Sequence, residues 1–221
     1  MAIATRMAFI CKENELYFNY YTFEFFGGFA ISQKRKSIES FHNKIRESGI
    51  EKVLEVSRKN ENEIGVQLSA FNLMANIDEA SYPVECIYQS SKVFGNKQYK
   101  ECLKMYPGDA KRYVKEKVEE QNLLLTHFSF KNNVFPLEPK SIFYDYLYIY
   151  ALNQNKVLGE QILKYDCFTD IEFNHKKQFA SQARSCAIFK YLYLNKKIDD
   201  FLLNPLAYEY LYKNLQEYIL F

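Results

Sequence analysis

The sequence contains no tryptophan, no Cys-x-x-Cys pair, no Ser/His/Asp or Cys/His arrangement and no glycine-rich phosphate loop. The absence of paired cysteines excludes a zinc-finger pattern and a thioredoxin-like motif. The five cysteines stand at unrelated positions (11, 86, 102, 167 and 186). Their odd number and apolar neighbours read as reduced thiols, which predicts a cytoplasmic protein. Met1 to Ile10 is too short for a signal peptide and runs into Lys12 and Glu13. No uncharged apolar stretch approaches the length of a bilayer span, so no membrane partner is expected. The net charge of +2 lacks the strong basic excess of many nucleic-acid binders, although the basic residues are grouped. Neither an internal repeat nor a low-complexity linker interrupts the chain.

What is present is apolar and aromatic. Hydrophobic residues make up 48% of the 221 positions, which excludes general disorder, and the 19 Tyr and 19 Phe predict a core of large rings with polar rims. Residues 7–11 and 16–26 read as strands around a turn at Lys12–Glu15. Ser32 is a plausible N-cap for a helix over 33–47 that carries Ile38, Phe41 and Ile45 on one face and ends at Gly49. Residues 65–71 read as a short strand. Helical patterns follow over 97–105, 107–120 (opened by Pro107), 142–152, 156–165, 178–194 and 200–219, the last kinked or restarted by Pro205. A hairpin is expected over 123–137 around Lys131–Asn133. The fold class is therefore α+β: one helix-rich domain with short strands, in which residues 1–63 form an N-terminal β-hairpin/helix extension packed on a main domain over 64–221.

The chemistry concentrates at Tyr82-Pro-Val-Glu-Cys-Ile-Tyr-Gln-Ser-Ser-Lys-Val-Phe94. Read as one helix, Glu85, Gln89 and Lys92 fall at i, i+4 and i+7 in a narrow stripe, with Cys86, Ile87, Ser90, Val93 and Phe94 on the opposite face. Such a stripe is ordinarily a solvated face. Here the turn at Tyr82-Pro83 and the preceding Ser69–Asn72 segment give it the makings of an active-site wall. A second group, Asp166, Asp170 and Glu172, is compatible with ribose hydroxyls, a metal or an N-cap cluster, and its spacing is diagnostic of none. Arg184, near a helix start, suits a phosphate and equally a carboxylate. Lys34-Arg-Lys36 crowds the first turn of its helix, where cations oppose the dipole; an anionic ligand explains them, as does plain solvation. His42 and His127 read as structural, and His175 as exposed beside Lys176-Lys177.

At these residues the sequence resembles the NADAR (YbiA-like) superfamily, whose pattern is L-S-N-F followed by Y-P-T-V-E-H-Y-F-Q-A-Q-K-F. Leu68-Ser-Ala-Phe71 and Tyr82–Phe94 carry the resemblance, supported by Tyr150–Asn155, Gln161–Leu163 and Ile171-Glu172. The segments Phe29–Lys34, Lys36–Ile38 and Phe168–Asn174 resemble a subgroup associated with DarT-type ADP-ribosyltransferase toxins. Ala70 replaces the usual Asn, with Asn72 as its substitute. The family Asp that follows the Ile-Glu pair is missing, Lys177 standing near its place, which turns attention to Asp170 and Glu172.

The resemblance implies cleavage of an N-glycosidic bond, with removal of ADP-ribose from guanine bases of DNA and an antitoxin role against a DarT-type toxin encoded nearby. It gives Glu85 the part of general acid–base and Lys92 that of an amine at the ribose anomeric carbon, with Asp170 or Glu172 as further acid. Ser69, Phe71, Asn72 and Gln89 fall to substrate binding. Lys34, Arg35 and Arg184 are the candidates for the diphosphate. On one helix the Glu85 and Lys92 Cα atoms would lie about 10 Å apart, a gap that long side chains close around one sugar. No metal and no cofactor are expected; the oligomeric state is open. The alternatives are an N-glycosidase acting on riboflavin-pathway intermediates and a non-enzymatic module that binds ADP-ribose or the toxin.

Overall fold

The apolar run Met7–Cys11 is buried on both sides, and the architecture follows from that. In the computed structural model, which describes residues 2–28, 30–176 and 178–212, β1 (Ala2–Lys12) pairs along its whole length with β2 (Glu15–Phe25). The two-residue turn between them has positive φ at Glu13 (52°) and Asn14 (64°), the tight form whose twist matches the strands. Ala8 and Ile10 face α1 (Ile31–Arg46), where Ile38, Phe41 and Ile45 form the expected stripe. Met7, Phe9 and Cys11, one residue out of phase, face the main core. The helix starts earlier than the Ser32 cap predicts: Ala30 occupies the cap position and donates no side-chain bond.

β3 (Val53–Glu55) leads to α2 (Glu63–Gln67). The expected strand over 65–71 is therefore corrected to a helical turn and bends. The Asn62 side chain caps the helix by accepting Ile64 N–H, and a five-residue apolar segment does not distinguish the two periods. Gly65 lets this helix lie on the β3 terminus: a Cβ there would overlap the Glu55 carbonyl oxygen and the Asn60 amide. Gly65→Ala is accordingly expected to destabilise the fold by about 3 kcal/mol, the upper end of overpacking costs, as read by denaturant unfolding.

The hairpin β4 (Met74–Ile77) and β5 (Ala80–Pro83) feeds α3 (Val84–Ser90). The helix ends there. Ser90 and Ser91 both turn their hydroxyls back to the Ile87 carbonyl, at 2.9 and 2.8 Å, and the next residues, Lys92–Phe94, form β6. This corrects the single helix read over the Glu85–Lys92 stripe. β7 (Lys97–Gln98) and a 3-10 turn (Lys100–Lys104) replace the predicted helix over 97–105. α4 (Pro107–Gln121) opens on its proline and closes at Asn122 in the left-handed conformation. β8 (His127–Phe130) and β9 (Asn133–Phe135) form the expected hairpin with shorter arms; with β6 and β7 they make a sheet in the order β7-β6-β8-β9.

α5 (Ile142–Gln154) is buried on nearly every side, as a central helix must be. After α6 (Lys156–Ile162) comes β10 (Cys167–Thr169), where the sequence suggests only an acidic loop. β10 lies antiparallel to β1 (Phe9 opposite Phe168) and parallel to β3 (Phe168 opposite Leu54), giving the order β2-β1-β10-β3. All three of its residues are buried, so no alternation betrays the strand. α7 (Gln182–Leu194) packs on α5 and this sheet; α8 (Ile198–Leu203) and a 3-10 turn that restarts at Pro205 complete the described core. Residues 213–221, which include the end of the helix predicted over 200–219, lie outside the described residues, as do Phe29 and Lys177. All five cysteines are buried and unpaired. No described helix is long and apolar enough to cross a membrane.

Candidate active site

A cleft of about 980 Å³ opens between the two four-stranded sheets, walled by α3, β6, the Ser69–Phe71 bend, the end of β10 and the segment before α7. The Ser69–Phe71 bend is held from both sides. Glu85 N–H donates to the Ala70 carbonyl at 2.9 Å, and Ala70 N–H donates to Gln182 Oε1 at 2.9 Å. Gln182 also donates to the Val56 carbonyl, which ties α7 to the strand end across the cleft floor.

Glu85, 7% exposed, and Gln89, 3% exposed, face the cleft from successive turns of α3. Gln89 Nε2 donates to Glu85 Oε1 at 2.8 Å, and Lys92 Nζ donates to Gln89 Oε1 at 2.8 Å. An amide has one oxygen and one NH2, so a carboxylate on one side and an amine on the other fix its orientation. The three side chains thus form a line although Lys92 stands on a strand; the connection is made by hydrogen bonds, and the separation expected from helix rise does not apply.

Burial lowers the Lys92 pKa to about 8. Glu85 opposes that shift and Lys111 adds to it. The Lys92 ammonium lies 4.9 Å from the centre of the Tyr88 ring, which stacks on Phe128. Tyr144, on α5, is buried, and its hydroxyl is raised well above the usual phenol range by burial and then by Glu85 and Asp170. Both carboxyls therefore lie near the same phenol. Asp170 is 8% exposed; burial, then the charge of Glu55, raises it well above the usual carboxylate range.

Glu172 lines the cleft, paired with Lys34 at 3.2 Å, and Lys34 also lies over the Phe25 ring. Ser69 and Phe71 line it too, with the Arg58 guanidinium 4.2 Å from the Phe71 ring centre. Four of the residues singled out by sequence are not brought to it. Arg35 pairs with Glu61 at 3.4 Å. Asn72 is exposed and donates to the Val66 carbonyl at 2.9 Å. Arg184 is 4% exposed and is held between Asp145 and the Phe179 carbonyl, each at 2.8 Å. Asp166 bonds Lys190 at 2.8 Å, so it forms no acidic cluster with Asp170. Among the described residues no group of three His, Cys, Asp or Glu is disposed to hold a metal ion.

Comparison with known families supplies the relationship. The family described as DarT1-associated NADAR antitoxin matches residues 4–218. The chain belongs to this family. No curated protein matches it.

In this NADAR chain several cleft residues escape a reading by motif. Arg58, Lys59 and Lys140 join Lys34 and Lys111 along the walls, and Lys140 covers the Phe179 ring at 4.2 Å. The adjacent cations Arg58-Lys59 were a usable signal; Lys140 was not, since only the fold carries it to the cleft. Tyr144 sits in an aromatic run that reads as core, and it is buried yet lines the cleft.

Proposed function

We propose that this NADAR antitoxin is an ADP-ribosyl glycohydrolase that removes ADP-ribose from guanine bases of DNA and so reverses the action of a DarT-type toxin. The observation that carries the reading is the Glu85–Gln89–Lys92 line, in which an amine whose pKa is lowered to about 8 lies inside a cleft lined with further cations. Lys92, in its neutral form, attacks the anomeric carbon. The ribosyl–nitrogen bond breaks, its electron pair goes to the guanine nitrogen, and a cleft carboxyl supplies the proton. The ribose ring then opens to give an imine with Lys92, which water hydrolyses to free ADP-ribose and the amine. Gln89 keeps the amine in line with Glu85, the acid–base. Ser69 and Phe71 contact the sugar, Asp170 donates a hydrogen bond to it, and Glu172 is a second acid at the wall. Lys34, Arg58, Lys59, Lys111 and Lys140 offer charge to the diphosphate and the polynucleotide. In this reading the diphosphate falls to those residues; Arg35 and Arg184 are occupied elsewhere.

The test is incubation with an oligonucleotide bearing guanine-linked ADP-ribose, with released ADP-ribose measured by mass spectrometry. Wild type is expected to release it, and Glu85→Gln to do so about 10²- to 10³-fold more slowly, the range for loss of a general acid–base. No release by folded wild-type protein sinks the proposal. Cleavage of free riboflavin-pathway intermediates without action on the oligonucleotide would replace it with the small-molecule reading.

A further inference from the structure

Directly behind the cleft wall lies a carboxylate that no step above uses. Glu55, at the end of β3, is wholly buried. Its Oε1 accepts Ile171 N–H at 2.8 Å and its Oε2 accepts the Thr169 hydroxyl at 2.6 Å. The residues so gripped stand on either side of Asp170. Because the Thr169 hydrogen is committed to Glu55, His42 Nε2, 2.8 Å from the Thr169 oxygen, must be the donor there. Burial and then Arg46 lower the His42 pKa to about 3, so the ring is neutral and its proton sits on Nε2. Burial raises the Glu55 carboxyl pKa, and the Ile171 N–H and the Thr169 hydroxyl pull it back toward the ionised form.

Asp170 is arranged differently. Its Oδ1 accepts Glu172 N–H at 3.1 Å, which fixes the carboxyl plane. The titratable groups that act on it or feel it are Glu55 on β3, Glu172 in its own turn, Tyr144 and Tyr148 on α5, and Cys186 on α7. Asp170 forms none of the ion pairs found among the described residues, and Lys34 of the same cleft is paired with Glu172 instead. Two carboxyls that repel one another in a buried site keep one proton between them.

We propose that Glu55 is a positioning residue of this cleft: it clamps the residues flanking Asp170 and holds the Asp170 carboxyl, bearing a proton, at the wall where the sugar binds. The inference rests on the glycohydrolase reading for its kinetic consequence and stands apart from it for the protonation of Asp170. A neutral carboxylic acid donates a hydrogen bond that a carboxylate cannot, and Asp170 and Glu85 line the same cleft.

The test uses Glu55→Gln, which keeps the shape and removes the charge, and Glu55→Asp, which keeps the charge and shortens the clamp. Both are expected to lower kcat about tenfold with KM within about twofold, the pattern of a misplaced group. Infrared spectroscopy supplies the second arm. The carboxyl band lost in Asp170→Asn is expected to be that of a protonated acid at neutral pH in wild type, to titrate at lower pH in Glu55→Gln, and to remain protonated in Glu55→Asp. Unchanged kcat in both Glu55 variants, or an ionised Asp170 in wild type at neutral pH, overturns the inference. The infrared comparison of wild type with Asp170→Asn needs neither turnover nor a Glu55 variant. It therefore reads the inference even where wild type releases no ADP-ribose or a Glu55 variant does not fold.

Discussion

Replacing Lys92 with alanine is expected to lower turnover by about 10³-fold or more, the scale on which removal of a nucleophile acts, while the fold persists. Lys92→Arg is expected to fare no better, because a guanidinium does not lose its proton in the accessible pH range. The side chain stands at the cleft and its one hydrogen bond is to Gln89, so truncation removes chemistry more than packing. Borohydride added during turnover is expected to leave a stable adduct at Lys92, located by peptide mass spectrometry.

The same residue sets a pH dependence whose sign follows from burial. With a pKa near 8 the amine is mostly ammonium at neutral pH, and the reactive neutral form grows as pH rises through 8. The rate should climb about tenfold per unit below that point and level off above it. Lys111 contributes to the lowering, so Lys111→Ala should move the limb to higher pH; Glu85 opposes it, so Glu85→Gln should move the limb to lower pH in its residual activity. A profile that stays flat through this range, together with full activity in Lys92→Ala, removes the imine route.

The second large effect concerns stability. Arg184→Ala is expected to cost about 3–5 kcal/mol, the range for breaking a buried ion pair from one side. Asp145 is fully buried on α5, where burial raises its pKa more strongly than Arg184 and Ser185 lower it. Losing the guanidinium leaves that carboxyl with the Ser185 hydroxyl at 2.6 Å. It also releases the Phe179 carbonyl beside the cleft. A fall of roughly 10 °C in the melting temperature is the expected reading for a chain of this size. An unchanged melting temperature with weakened ADP-ribose binding would instead return Arg184 to the diphosphate.

What the sequence makes legible here depends on whether a signal is local. The helix α1 announces itself through Ile38, Phe41 and Ile45, and α4 through Pro107, because spacing and proline chemistry act within a turn or two. The β1–β2 hairpin follows from its alternating run and its turn. β3 and β10 do not show, since three buried residues carry no period and owe their conformation to β1, far away in sequence. Lys92 illustrates a mixed case. Its grouping with Glu85 and Gln89 is readable, while its place on a strand is decided by two serine hydroxyls and by pairing with Phe128. Lys140 is an ordinary surface cation by any local criterion, and the fold alone carries it to the cleft that Arg58 and Lys59 also line.

The insertion of β10 between β1 and β3 also governs when the protein can work. During synthesis the first hairpin and β3 leave the ribosome long before the strand that joins them. Phe9 waits for Phe168, and Leu54 for the same residue. Contacts so distant in sequence close late and slowly. The cleft wall that bears Asp170 is thus assembled only late in translation, and a nascent chain interrupted before residue 170 lacks it. For a cell that depends on an antidote, protection begins with nearly whole chains, and the interval between message and defence includes almost the full time needed to translate it.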